Sequence, residues 1–179
     1  MRSIDAPAYS LTARVLHWIT AVLVLSAIPI GVLAVNASAG PLQDSLYDLH
    51  RSLGATIIPV LLVRFAYRLR HPPVPLPDDI PEFQRRIAHA THWALYALLI
   101  VQPLLGWVAT SAYGAPIQVF GLFRLPPIWP HDEPLSERLF VVHQLIGLTI
   151  TLLVTAHIGA ALYHQFVRKD GVLTRMITG

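Results

Sequence analysis

Four stretches of the chain stay apolar for long enough to cross a bilayer, at about residues 14–35, 51–69, 90–112 and 139–166, and polar or proline-rich segments separate them. At the helical rise, about 20 residues cover the roughly 30 Å hydrocarbon core, so each stretch suits one spanning helix. The pattern predicts an all-α fold: an integral membrane four-helix bundle in a single domain, 1–179, with both termini on the same side. Pro29, Pro59 and Pro103 fall within these stretches and are expected to kink their helices. The second connector holds Pro72, Pro73, Pro75, Pro77 and Pro81, which favours an extended linker over helix. The third, roughly 113–138, is the longest segment on its side of the bundle. It carries Trp129, Asp132, Glu133 and Glu137 and is expected to cover that end. No small-residue cleavage site follows the first apolar stretch, which is expected to be retained as a span.

Composition agrees with the pattern. Hydrophobic residues make up 54% of the chain and charged residues 13%, with a mean hydropathy of +0.55, far from the average soluble domain. The pI near 9.6 reflects basic residues beside the apolar segments rather than a block or stripe, which argues against nucleic acid as a partner. Cysteine is absent, so disulfides, thiolate metal sites and covalent haem attachment are excluded.

The basic residues also orient the bundle. Arg2, Arg14, Arg64, Arg68, Arg70, Arg85, Arg86, Arg168, Lys169 and Arg175 belong to the termini and the second connector, against Arg51, Arg124 and Arg138 on the other side. Because cytoplasmic segments are enriched in Lys and Arg, both termini are expected in the cytoplasm and the third connector outside.

The spans carry an internal repeat. His17-Trp18 opens the first and is followed by Pro29 and Gly31; His92-Trp93 opens the third and is followed by Pro103 and Gly106. In the second, His50, Gly54, Thr56 and Ile57 recur in order and spacing as His143, Gly147, Thr149 and Ile150 of the fourth. Two related helical hairpins about a pseudo-two-fold axis would place corresponding histidines at equal depth. His50 and His143 then share the outer level. His157 follows His143 by 14 residues, about 21 Å deeper and close to whole helical turns, so it reaches the inner level on the same face.

Histidines inside spans are costly and mark function, and two neutral imidazoles from facing helices are what a six-coordinate haem iron requires. The alternative for any single histidine is an interhelical hydrogen bond, and for a glycine ordinary helix packing. Gly54 and Gly147, one turn inward of the outer histidines, are expected to leave room for a flat macrocycle. The outer pair is His50 with His143. At the inner level spacing leaves His157 to pair with His17 or His92, and the longer apolar run after His17 favours it. The residue corresponding to His157 in the first hairpin is Arg64, which cannot bind iron but suits a haem propionate. One inner haem is therefore expected.

Arg14-Val15-Leu16-His17-Trp18, the His50…Gly54 helix ending in Arg64 and Arg68, His89-Ala90-Thr91-His92, and the His143…His157…His164 helix followed by Lys169-Asp170-Gly171 resemble the bacterial cytochrome b561 family over nearly the whole chain. That family is related to the cytochrome b subunits of hydrogenases and formate dehydrogenases. The resemblance implies two non-covalent b haems stacked across the bacterial inner membrane, with His17 and His157 on the inner haem iron and His50 and His143 on the outer one. It also implies superoxide oxidation outside and ubiquinone as the electron acceptor inside. His164, two turns beyond His157, becomes a candidate for a quinone-site hydrogen bond or proton relay; the alternative is an interfacial histidine reaching toward the headgroups. Arg64, Arg68 and Arg51 are candidate propionate partners, although a positive-inside flank explains the first two equally well.

Charge sets the superoxide reading against a competitor. A small anion is steered by a positive field, yet the outer segments set three arginines against Asp44, Asp48, Asp132, Glu133 and Glu137. A local arrangement around His131, Arg51 or Arg138 would be needed. The competing expectation is an electron-transfer subunit or shuttle serving a periplasmic redox protein docked on the third connector. A transporter or purely structural bundle would need no haem.

Overall fold

The computed structural model describes residues 8–77 and 79–178; Arg2, counted above for orientation, lies outside them. Four long helices, α1 (Leu11–Asn36), α2 (Pro41–Arg70), α3 (Glu82–Tyr113) and α4 (Glu133–Tyr163), carry the four apolar stretches. Each is long and apolar enough to cross a membrane. Their outward faces remain apolar, as lipid requires: Val22, Leu62, Val101 and Leu152 are all exposed.

The helices begin well before the apolar stretches, because capping chemistry rather than hydropathy sets a helix end. Gly40, at φ 147°, turns the chain into Pro41 at the first position of α2, and the Gln43 side chain bonds the Ala34 and Ala37 carbonyls of the preceding turn. The Asp132 carboxylate caps α4 by accepting from the Leu135 N–H at 3.1 Å. Left-handed Gly114, at φ 86°, ends α3. Consequently α2 and α4 project beyond the apolar boundary at one end of the bundle, hereafter the hairpin end; the chain termini lie at the other, the terminal end.

The packing follows the internal repeat. Helix α1 packs chiefly on α2 and α3 on α4, and α2 joins the two pairs through α3. Between them lies a core of Val24, Ala27, Leu53, Ile57, Leu61, Tyr96 and Ile150. Ile57 and Ile150, corresponding residues of the repeat, are both buried.

One feature departs from the purely helical expectation. Residues after α3 form an antiparallel hairpin, β1 (Ile117–Val119) with β2 (Phe123–Leu125), turning at Phe120 and Gly121 with φ of 49° and 72°. Strands of three residues are too short to reveal a period of two. Beyond α4 the helix widens into a π-helical turn, His164–Arg168, before a short α5 (Thr174–Ile177).

Candidate functional site

At the hairpin end, α2 and α4 bring His50 and His143 together with ring centroids 6.1 Å apart. Two imidazoles sharing one metal through nitrogen bonds of about 2 Å hold their ring centres roughly 6 Å apart, so this spacing suits a shared iron. His50 Nδ1 lies 3.0 Å from the Ala27 carbonyl. A carbonyl only accepts, so Nδ1 carries the proton and the neutral ring keeps its Nε2 lone pair for a metal. The same ring edge rests on Gly31 of α1, and that of His143 rests on Gly106 of α3. A Cβ there would come within 2.7 Å of His50 Cε1 and 3.0 Å of His143 Cε1. His143 Nδ1 is buried without a hydrogen-bond partner among the described residues, while Gln102 of α3 donates to the His143 carbonyl at 2.9 Å.

At the terminal end, His17 and His157 have ring centroids 6.3 Å apart, and His92 comes to 5.3 Å from His157. The first separation suits a shared iron; the second is shorter than that arrangement needs. His17 differs from His50 in one respect. Arg64 lies 2.9 Å from its Nδ1, and a guanidinium only donates, so here Nδ1 is the acceptor. Arg64 also lies over the Tyr96 ring, with Arg68 beside it over Tyr96 and Trp93. Arg51, by contrast, engages its own helix through Asp48 at 3.3 Å and the Tyr47 ring.

The terminal end is covered by the C-terminal segment. Trp18, next to His17, donates to the Met176 carbonyl at 3.0 Å, Arg14 donates to that of Ile177, and Arg175 donates to that of Pro75 in the proline-rich connector. His164 opens the π-helical turn and donates from Nδ1 to the Asp170 carboxylate at 2.5 Å. Arg168 joins Asp170 to Asp79.

Burial opposes ionisation of Asp170, but hydrogen bonds from His164, the Val172 N–H and Arg168 outweigh it and hold the carboxyl below its ordinary range. A depressed carboxylate contributes stability above its unfolded pKa and loses it as pH falls through the folded one. Hydrogen-exchange protection across residues 169–172, taken relative to the intrinsic rate at each pH, should therefore fall on acidification below about pH 4. Asp170→Asn should give fast exchange already at neutral pH; unchanged protection in that variant would mean that the carboxylate does not hold this segment.

The sequence pattern did not single out Gly31, Gly106, Ala27 or Gln102, which position the histidines of the hairpin end; the signal it held was the recurrence of Gly31 as Gly106 in the repeat. Gly54 has nothing within 4 Å of an added Cβ, in keeping with the room expected there, whereas the Gln102 amide, at 3.2 Å, fills the space beside Gly147. Between the end of α3, β2 and Trp129-Pro130-His131 lies a cavity of about 420 Å³. Arg124 and His131 line it, and among the described residues no carboxylate does.

A family model described as prokaryotic cytochrome b561 matches residues 8–179. The chain is 31% identical over 174 residues to cytochrome b561 homolog 2 of Escherichia coli K12, covering 94% of this chain and 90% of that protein. It is 29% identical to the probable superoxide oxidase CybB of Yersinia pestis, covering 94% and 95% of the two. Cytochrome b561 homolog 1 of E. coli K12 is 27% identical, at 94% and 96% coverage.

Proposed function

The chain belongs to the prokaryotic cytochrome b561 family, a bacterial membrane protein of b-haem electron transfer, and from that premise we propose that it is a superoxide:ubiquinone oxidoreductase with two b haems. One haem is held by His50 and His143 and the other by His17 and His157. The observation that carries this reading is the presence of two histidine pairs at opposite ends of the bundle, with ring separations of 6.1 and 6.3 Å, both anchored on α4. The excess of Lys and Arg at the terminal end supports its placement in the cytoplasm, with the hairpin end outside the inner membrane.

A bound b haem supplies one-electron chemistry at a potential that its axial ligands and surroundings tune. The chain supplies the rest. Ala27 holds the His50 proton on Nδ1 and leaves Nε2 to ligate. Were His17 to ligate through Nε2, its Nδ1 would carry the proton and Arg64 would need another acceptor, a part that a haem propionate would fill. Arg64→Leu should lower the midpoint potential of the inner haem by about 60 mV, a tenfold change in a one-electron equilibrium. A redox titration that leaves both midpoints unmoved would remove Arg64 from this role.

Superoxide as donor is supported by the name of the Yersinia relative and by the outer cavity, whose Arg124 answers the net negative charge of the outer segments locally. Two superoxide anions give two molecules of oxygen and two electrons; a quinone takes those electrons with two protons to become quinol. His164 is tied through Nδ1 to Asp170 and makes no hydrogen bond through Nε2 among the described residues, so Nε2 suits a quinone oxygen at the terminal end. The test is an anaerobic optical spectrum of the purified protein before and after a superoxide pulse, with and without superoxide dismutase, then with dithionite. Rapid, dismutase-sensitive reduction of a b-type band supports the reading. A band that appears only with dithionite replaces it with an electron carrier for a periplasmic redox protein.

A further inference from the structure

The β1–β2 hairpin is fixed to α2 by one side chain. Ser52, 2% exposed, accepts from the Phe120 N–H at 2.9 Å and lies 3.0 Å from the Gln118 carbonyl and 2.8 Å from that of Asp48. Ile117 and Val119 turn inward and are buried, with Gln118 outward between them. The tip is apolar and unpartnered: Phe120 is 51% exposed, Leu122 81% and Phe123 58%. Three such side chains side by side in water would be an unusual liability.

Their depth identifies what covers them. The bond from Phe120 to Ser52 sets the tip at the level of Ser52, two residues inward of His50 and at the start of the apolar stretch of α2. A turn of three residues carries the chain no further than about 10 Å from that anchor. Helix α2 continues outward from Ser52 to Pro41, about 16 Å at the helical rise, and α4 rises comparably beyond His143 to Glu133. The tip is thus recessed by at least about 6 Å below the outer ends of α2 and α4. A soluble protein approaching the membrane meets those ends first, whereas lipid surrounds the bundle at this depth.

We propose that Phe120, Leu122 and Phe123 are seated in the outer leaflet, at the boundary between headgroups and acyl chains, with lipid as their partner. Apolar and aromatic side chains are favoured at that boundary. The hairpin is then held from two sides, by Ser52 on the protein and by lipid at its tip, beside the outer histidine pair. This assignment does not depend on which donor reduces the haem.

The chain contains no cysteine, so a single introduced one takes a nitroxide label at a unique position. The exposure of Leu122 makes Leu122→Cys a mild change; retention of the b-type spectrum reports that the fold is intact. In the haem-loaded protein reconstituted in phosphatidylethanolamine/phosphatidylglycerol vesicles, the label's collision rates with oxygen, which concentrates in lipid, and with a water-soluble nickel chelate are compared. Asp44→Cys, on the outer turns of α2, and Leu152→Cys, exposed in mid-α4, give the aqueous and lipid references. The expected oxygen-to-nickel ratio at 122 exceeds that at 44 at least severalfold and approaches that at 152. A ratio equal to that at 44 overturns the proposal, and would leave the tip in water, free to meet a soluble partner.

Discussion

Replacing His143 with leucine should remove about half of the bound haem and abolish reduction by superoxide while leaving the other b-type component in the dithionite spectrum. The expectation follows from the separation of the two pairs on α4: His143 meets His50 across 6.1 Å at the hairpin end, and His157 meets His17 across 6.3 Å at the other. Loss of an axial ligand is more severe than loss of a group that merely orients one, so affinity at the outer site should fall by more than about 100-fold. His17→Leu should give the mirror result. The outer component would still be reduced by superoxide, but electrons would no longer reach quinone. His92→Leu separates the inner alternatives: with its ring only 5.3 Å from His157, it should leave haem content unchanged. Haem-to-protein ratios and low-temperature spectra of the three variants decide the matter. A His143→Leu protein with full haem content would sink the outer assignment, and a His92→Leu protein that loses the inner haem would transfer the ligand role from His17 to His92.

The four spans were legible because lipid imposes one requirement on every outward side chain, and unbroken apolar character records it directly. Helix ends were less so: α2 begins ten residues before its apolar stretch because Gly40, Pro41 and Gln43 set its start, and these are read by capping rather than hydropathy. The hairpin escaped notice for want of length. The histidine levels could be read from the repeat and the spacing along α4, since both depend only on helical rise. The inner alternatives needed ring distances, which depend on where the bundle sets His17 of α1 and His92 of α3 relative to His157 and have no trace in a one-dimensional pattern. The glycines show the same boundary. Position along one helix pointed to Gly54 and Gly147, but the glycines against the histidine rings are Gly31 and Gly106, on neighbouring helices.

Gly31→Ala and Gly54→Ala, the same substitution in adjacent helices, should consequently act on different states of the protein. At Gly31 the added Cβ would stand 2.7 Å from His50 Cε1 and 2.8 Å from Nδ1, and the ring cannot retreat without stretching its 3.0 Å bond to the Ala27 carbonyl. Overpacking of this kind costs about 1–3 kcal/mol and displaces a ligand, so affinity for the outer haem should fall roughly 5- to 150-fold. At Gly54 the Cβ meets no protein atom within 4 Å, and alanine is favoured over glycine in a helix by about 1 kcal/mol. The haem-free protein should therefore tolerate Gly54→Ala or gain stability from it. If a macrocycle lies against that face of α2, one turn inward of His50, the same methyl group intrudes on it and outer haem binding weakens. Thermal unfolding of the haem-free proteins followed by circular dichroism, alongside haem titration, distinguishes the two effects. Unimpaired haem binding in Gly54→Ala would mean that the open face of Gly54 looks onto lipid rather than onto the cofactor.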